Sequence, residues 1–227
     1  MKYRFVFLDL DNTLLDFDAA ERVALVRAYL DSGVEPTEAM MARYHVINQA
    51  HWERYERGEI SREQLLVARH DALFQEFGIP KEGRQVEALY RRYLGVGHYF
   101  IDGAEDCLRY LKSKSYRLFL ATNGVEDTQN SRLDSAGIRP YFEEIFISDT
   151  IGSCKPEKAY FDYCFSRIPC FDPDAAIMVG DGLSSDIKGG KNAGIATCWL
   201  NRTGLTAPPA LTPDYEIHTL MQLREIL

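Results

Sequence analysis

No stretch of the 227-residue chain approaches the roughly 20 consecutive apolar residues that a membrane-spanning helix needs. Met1-Lys2-Tyr3-Arg4 runs straight into a strand-like segment too short for the core of a typical secretory leader, so the sequence reads as cytoplasmic, with no membrane partner. Positive charge is scarce too. Lys and Arg number 26 against 34 Asp and Glu, and the net charge of -8 excludes a broad surface for a nucleic acid polymer or an anionic bilayer. Cysteine is sparse: Cys107, Cys154, Cys164, Cys170 and Cys198 are an odd number, scattered without a C-x-x-C pair. Reduced, mostly packed thiols are therefore expected, rather than a zinc cluster or a disulfide framework. Internal repeats and low-complexity tracts are also missing. With 46% hydrophobic and 26% charged residues, what remains is an ordinary globular composition, enough for one large domain or a core with a smaller insert.

Residues 18 to about 93 read as helices. Asp18-x-x-Glu21 and Ser61-x-x-Gln64 have the form of a capping box, Gly58 and Gly78 sit at plausible helix ends, and no convincing strand intervenes. After Gly103 the pattern alternates: helices at 104–113, 127–136 and 157–167, each followed by a strand, at 117–121, 145–147 and 176–179. A short helix at 186–192, strands at 196–200 and 215–217 and a terminal helix complete the chain. Such alternation predicts a parallel sheet covered on both faces. The apolar run Phe5-Val6-Phe7-Leu8 belongs with that sheet, although a long helical stretch separates it from the next strand. The expected fold is α/β, a Rossmann-like doubly wound parallel sheet built from 1–14 and 98–227, with an all-helical cap domain inserted at 15–97.

That first strand ends in Asp9-Leu10-Asp11-Asn12-Thr13. Side chains at i and i+2 of a strand share a face, so Asp9 and Asp11 should meet in one small volume. At about 4 Å and an effective dielectric near 20 their repulsion is roughly 4 kcal/mol, enough to favour a bound cation or a shared proton. A polar turn closing the strand is the bland account, but paired acids are an odd way to end a buried apolar run.

In a doubly wound sheet ligands bind at the carboxyl ends of the strands. The polar residues there are Asp9 to Thr13, Thr122-Asn123-Gly124, Ser153-Cys154-Lys155-Pro156, and Gly180-Asp181-Gly182 leading to Asp186. Taken singly each has an ordinary explanation: a strand end and turn at 122–124, a solvated lysine at 155, a turn at 181–182, a helix-starting acid at 186. Together they offer carboxylates, a hydroxyl and amide pair and one lysine. That set suits a Mg²⁺ ion held by oxygen ligands, a phosphate between metal and lysine, and a carboxylate nucleophile.

In this order the four segments resemble the haloacid dehalogenase superfamily, and the helical insert looks like that superfamily's C1 cap. The resemblance implies that Asp9 is the nucleophile forming an aspartyl-phosphate, while Asp11 protonates the leaving oxygen and then activates water. It implies that Thr122 and Asn123 contact the phosphoryl group, that Lys155 neutralises it, and that the cofactor is Mg²⁺. The metal would be held by Asp9, the Asp11 carbonyl and Asp181, with Asp186 as an outer partner. Asp11 also discriminates, because haloacid dehalogenases themselves lack this second Asp, having no alkoxide to protonate. The segments Met178-Val179-Gly180-Asp181, Ser185-Asp186-Ile187 and Asn192-Ala193-Gly194 resemble the pyrimidine 5'-nucleotidase branch, as do Trp52, Tyr55 and Gly58 in the cap. One departure is Phe100-Ile101-Asp102-Gly103, where that branch more usually has a Pro-Gly pair.

The implied activity is a phosphomonoesterase on a small phosphorylated metabolite, a nucleoside 5'-monophosphate above all, in a monomer or homodimer. A sugar-phosphate or phosphoglycolate phosphatase is the alternative, and a phosphomutase shares the motif set. A non-enzymatic metabolite-binding protein would have no use for an acid beside its nucleophile. In the cap, Tyr44, Asn48, His51, Trp52 and Tyr55 fall on one helical face. Trp52 and Tyr55 are the candidates for stacking on a base, although such a stripe is more often a packing face.

Overall fold

The computed structural model describes residues 2–227. The chain runs β1 (Phe5–Leu8), α1 (Phe17–Asp31), α2 (Glu38–Glu56), α3 (Arg62–Glu76), α4 (Gly83–Leu94), α5 (Ala104–Ser113), β2 (Arg117–Thr122), α6 (Glu126–Ala136) and β3 (Glu144–Ile147). It continues through α7 (Ser148–Ile151), α8 (Lys158–Arg167), β4 (Ala176–Gly180), α9 (Lys188–Ala193), β5 (Ala196–Leu200), β6 (Tyr215–Ile217) and α10 (Leu223–Ile226). Two compact units result: residues 1–17 with 98–227, and residues 18–97. The first boundary lies at Phe17 rather than at residue 14 because Leu14 and Leu15 are buried in the core of the first unit, and Leu15 pairs with both Asp11 and Phe100.

The first unit is the expected α/β fold. Its sheet is entirely parallel, in the order β3-β2-β1-β4-β5-β6. Alternating side chains of each strand supply two separate cores, which is why β1 is apolar at every position. Val6, Leu8, Leu118, Leu120, Ile177 and Val179 pack on one face with Leu108 and Leu111 of α5. Phe5, Phe7, Phe119, Phe146 and Met178 pack on the other with Tyr160 and Phe161 of α8. Phe7 and Phe119 stack with centroids 5.2 Å apart. The chain leaves β1 to build β2 and β3 on one side and returns to build β4, β5 and β6 on the other. The crevice of such a sheet lies where those directions part, at the carboxyl ends of β1 and β4. Leu8 lies level with both Leu120 and Val179, so Asp9, Thr122 and Asp181 emerge together at that edge.

The second unit is all helix. Ser61 and Gln64 form the expected reciprocal capping box at α3, and Gly58 and Gly78 follow α2 and α3 with φ of 72° and 64°. Asp18 lies inside α1 rather than just before it. α1 begins one residue earlier, at Phe17, whose N–H donates to Asn12 Oδ1 at 3.0 Å, and Glu21 is drawn inward instead. Asn48 Nδ2 donates to Glu21 at 2.6 Å, Arg69 bridges Asn48 (2.9 Å) and Glu87 (2.9 Å), and His70 meets Glu87 at 3.0 Å. Burial lowers the pKa of His70 against the opposing pull of Glu87. Among the described residues no helix is long and apolar enough to cross a membrane.

Candidate active site

Asp9 directly follows β1, is buried, and extends the ladder through its N–H to Val179 O at 3.0 Å. Its Oδ1 accepts a hydrogen bond from Lys155 Nζ at 2.7 Å. The same ammonium donates to Asp186 Oδ1 (2.6 Å) and to the carbonyl of Ala121 (2.6 Å), so its three protons have three acceptors. Lys155 is 1% exposed and reaches this position from the loop between α7 and α8. Burial pulls its pKa down, but Asp186 and Asp9 outweigh burial and hold it above the ordinary lysine value.

The resemblance implies that Asn123 helps to shape the phosphoryl pocket. Its amide bonds the backbone of the lysine: Nδ2 donates to Lys155 O (2.8 Å), while Oδ1 accepts the Lys155 N–H (2.9 Å). Asn123 thus fixes the backbone that carries the lysine. Asp186 is held as firmly as the lysine. It lies on a single π-helical turn, Leu183–Ile187, 1% exposed, with Oδ2 accepting the Gly182 N–H at 3.0 Å and Oδ1 on Lys155. A Cβ on Gly180 would overlap the Asp186 carboxylate, so the glycine closing β4 makes room for that acid.

Asp181 follows β4. Its N–H donates to Thr13 Oγ1 (3.1 Å), the Thr13 hydroxyl donates back to Asp181 Oδ1 (3.5 Å), and the Trp199 indole holds its carbonyl (2.9 Å). Asp9, Asp181 and Asp186 can each place a carboxylate oxygen within 4.8 Å of the others. Three carboxylates therefore face one ammonium. Burial, reinforced by Asp186 and Asp11 against the pull of Lys155, pushes the Asp9 pKa up to about 7. Burial with Asp9 and Asp186 raises Asp181 well above the carboxylate range. An all-oxygen donor set carrying excess negative charge out of water fits a small hard dication such as Mg²⁺.

The Asp11 carboxylate stands outside this trio. Its Oδ2 accepts from Gln129 Nε2 at 2.7 Å, and its Oδ1 is paired with the Arg132 guanidinium. Thr122 is buried at the end of β2, with Gly124 N–H (3.2 Å) and Gln129 Nε2 (2.8 Å) donating to its Oγ1. Gln129 and Arg132 went unnoticed in the sequence. Their signal was there: α6 buries Thr128, Gln129 and Arg132 beside Leu133, so the inward face of a core helix is mostly polar.

The candidates of the second unit divide along α2. Tyr44 and Asn48 are buried, Tyr44 against His70 and Tyr90, and belong to the helical core. Trp52 and Tyr55 are half-buried, edge to face at 5.8 Å, and Tyr55 OH accepts from Arg62 at 2.6 Å. His51 Nδ1 lies 2.7 Å from the Ile47 carbonyl, one turn back.

A family model described as haloacid dehalogenase-like hydrolase matches residues 3–194. The chain belongs to the haloacid dehalogenase-like hydrolases. This hydrolase is 42% identical to the HAD-hydrolase YfnB of Bacillus subtilis, over 100% of the chain and 96% of that protein. A magnesium-bound crystal structure of YfnB aligns with a TM-score of 0.95 and 41% identity, covering 100% of this chain and 99% of that one. The hydrolase is also 37% identical to the pyrimidine 5'-nucleotidase PynA of Streptococcus pneumoniae, covering 100% of the chain and 96% of PynA. To the pyrimidine 5'-nucleotidase YjjG of Escherichia coli it is 32% identical, covering 100% and 99%. It is thus an enzyme of a hydrolase family whose relatives include phosphoric monoester hydrolases.

Proposed function

We propose that this hydrolase is a Mg²⁺-dependent phosphomonoesterase working through an aspartyl-phosphate, with pyrimidine nucleoside 5'-monophosphates as preferred substrates. The observation that carries the reading is the unequal treatment of the two acids of the first motif. Asp9 is bonded to Lys155 within the carboxylate trio, and Asp11 is held apart by Gln129 and Arg132. A nucleophile and a proton carrier need such separate settings.

In the first half-reaction an Asp9 carboxylate oxygen forms a bond to phosphorus as the bond to the ester oxygen breaks. Asp11 gives its proton to that departing alkoxide. In the second, Asp11 takes a proton from water, whose oxygen attacks phosphorus and releases Asp9 and inorganic phosphate. Lys155 and the Thr122 hydroxyl offset and hold the charge of the phosphoryl oxygens. Mg²⁺ held by Asp9, Asp181, the Asp11 carbonyl and, directly or through water, Asp186 would neutralise phosphate charge and favour the ionised form of Asp9. The nucleotide preference rests on the two relatives named pyrimidine 5'-nucleotidases, and Trp52 and Tyr55 are the side chains suited to stacking on a base.

With Mg²⁺, kcat/KM on UMP or dTMP should exceed that on sugar phosphates and phosphoglycolate by about tenfold or more, the scale of one pocket-sized difference in binding. A reversed order would transfer the assignment to a sugar-phosphate phosphatase. Release of phosphate from none of these esters would remove the phosphatase reading altogether.

The raised carboxylates give a separate check. Asp9 moves from an ordinary 3.8 to about 7, so without metal the folded protein keeps a proton that the unfolded chain has lost. That contribution is complete below about pH 4 and fades as pH rises through 7. A cation displaces the proton, so saturating Mg²⁺ should stabilise more at pH 8 than at pH 5. At about 100 times Kd the gain is ~2.7 kcal/mol, or ~5–10 °C in Tm for a chain of this size. Differential scanning fluorimetry with and without MgCl₂ measures it. Equal gains at the two pH values would contradict cation binding at these acids.

A further inference from the structure

We infer that Gln129 and Arg132, neither of them in the four motifs, are positioning residues that aim the Asp11 carboxyl and the Thr122 hydroxyl for phosphoryl transfer. The inference rests on the phosphatase reading of the site. Both side chains lie one turn apart on the inward face of α6, Gln129 1% exposed and Arg132 fully buried. Two apolar residues would make a cheaper core at these positions than a guanidinium and an amide. Their hydrogen bonds indicate a task other than stability.

Gln129 Nε2 donates to Asp11 Oδ2 (2.7 Å) and to Thr122 Oγ1 (2.8 Å), joining the acid to the hydroxyl. Its Oε1 accepts from Arg132 at 3.1 Å, which fixes which end of the amide faces the site. Arg132 also holds Asp11 Oδ1 and lies over the Phe17 ring at 5.7 Å. Both oxygens of Asp11 are thereby held, and with them the plane of the carboxyl group. Thr122 Oγ1 accepts from Gly124 N–H as well as from Gln129, so both its lone pairs are used and only its own proton is left to offer. A phosphoryl oxygen requires a donor of that kind. Gly124 fits the same design, because a Cβ there would overlap the Gln129 amide. The T-N-G turn is glycine-ended to admit Gln129.

The test compares two esters. A nucleoside 5'-monophosphate leaves as an alkoxide that needs the Asp11 proton, whereas p-nitrophenyl phosphate leaves as a stable phenolate that does not. Since kcat/KM reports events up to departure of the leaving group, the ratio of kcat/KM on the two esters isolates proton delivery. Arg132→Gln should lower kcat/KM on the nucleotide about 30-fold or more and on p-nitrophenyl phosphate less than about fivefold, the scale of a misplaced catalytic group. In an Asp11→Asn background the same substitution should leave the ratio unchanged. Arg132→Lys, which keeps the charge and one donor, should fall between wild type and Arg132→Gln. Gln129→Leu should lower both esters and also weaken inhibition by inorganic phosphate, through Thr122. Equal losses on the two esters with Arg132→Gln, or no loss, would overturn the inference while leaving an active phosphatase. A wild-type chain that hydrolysed neither ester would overturn the phosphatase reading and this inference with it.

Discussion

Asp9→Asn is expected to reduce Mg²⁺-dependent phosphate release from UMP or dTMP by a factor of ~10⁴ or more, the scale at which removal of a nucleophile is felt. The substitution preserves shape, and an amide oxygen can still accept from Lys155, whose Nζ lies 2.7 Å from Asp9 Oδ1. What disappears is the electron pair that attacks phosphorus and one negative charge from a buried trio of carboxylates. Stability should therefore move opposite to activity. Without metal at pH 8 the Asn variant should unfold at the same temperature as the wild type or higher, because the Asp9 pKa of about 7 marks the ionised form as the costly one. Loss of turnover with retained or raised Tm identifies a functional charge. Retained turnover would take the nucleophile role from Asp9, and parallel loss of both properties would make it a structural acid.

The parallel sheet was legible because burial on two faces leaves a plain trace. Runs such as Phe5–Leu8 and Ala176–Gly180 are apolar at every position, and from residue 104 on helices alternate with the strands. The strand-end acids were legible for the same reason, since charge at the end of a fully buried strand has no packing explanation. The supports of the site were much less so. Asn123 looks like a turn residue in sequence, and its reciprocal bonds to the Lys155 backbone cross 32 positions. Gln129 and Arg132 sit inside a helix, away from the strand ends that carry the four motifs. Along α2 a period of 3.6 assigns a face but not a depth. Tyr44 and Trp52 share that face, yet Tyr44 is buried against His70 and Tyr90 while Trp52, two turns on, is half-buried. The first turn of α1 shows a similar limit: Asp18, legible as a cap, lies inside the helix, and Glu21 is buried against Asn48.

Lys155→Met should be the most destabilising substitution in the site as well as an inactivating one. The side chain is almost isosteric, so little volume changes, but the single ammonium that faces Asp9 and Asp186 is lost along with its bond to Ala121 O. Breaking a buried ion pair from one side strands the remaining charges, at a cost of ~3–5 kcal/mol. For a chain of this size that is a fall of ~6–20 °C in Tm at pH 8. The sign of the pH dependence follows from the same charges. With Lys155 absent its pull against the upward push of burial on Asp9 is lost, so Asp9 binds its proton at higher pH than in the wild type. The deficit should shrink as pH falls toward 5, where Asp9 is neutral in the variant, and saturating Mg²⁺ should restore part of it at pH 8 by supplying the missing positive charge. Activity should stay low even with the fold restored by metal, falling ~10³-fold, because a cation among the acids does not replace the hydrogen bond by which Lys155 holds Asp9 Oδ1 in place. Thermal unfolding at pH 5 and pH 8, each with and without MgCl₂, would decide it. A Tm deficit that is small or independent of pH would mean that Lys155 is not the counter-ion of a charged cluster.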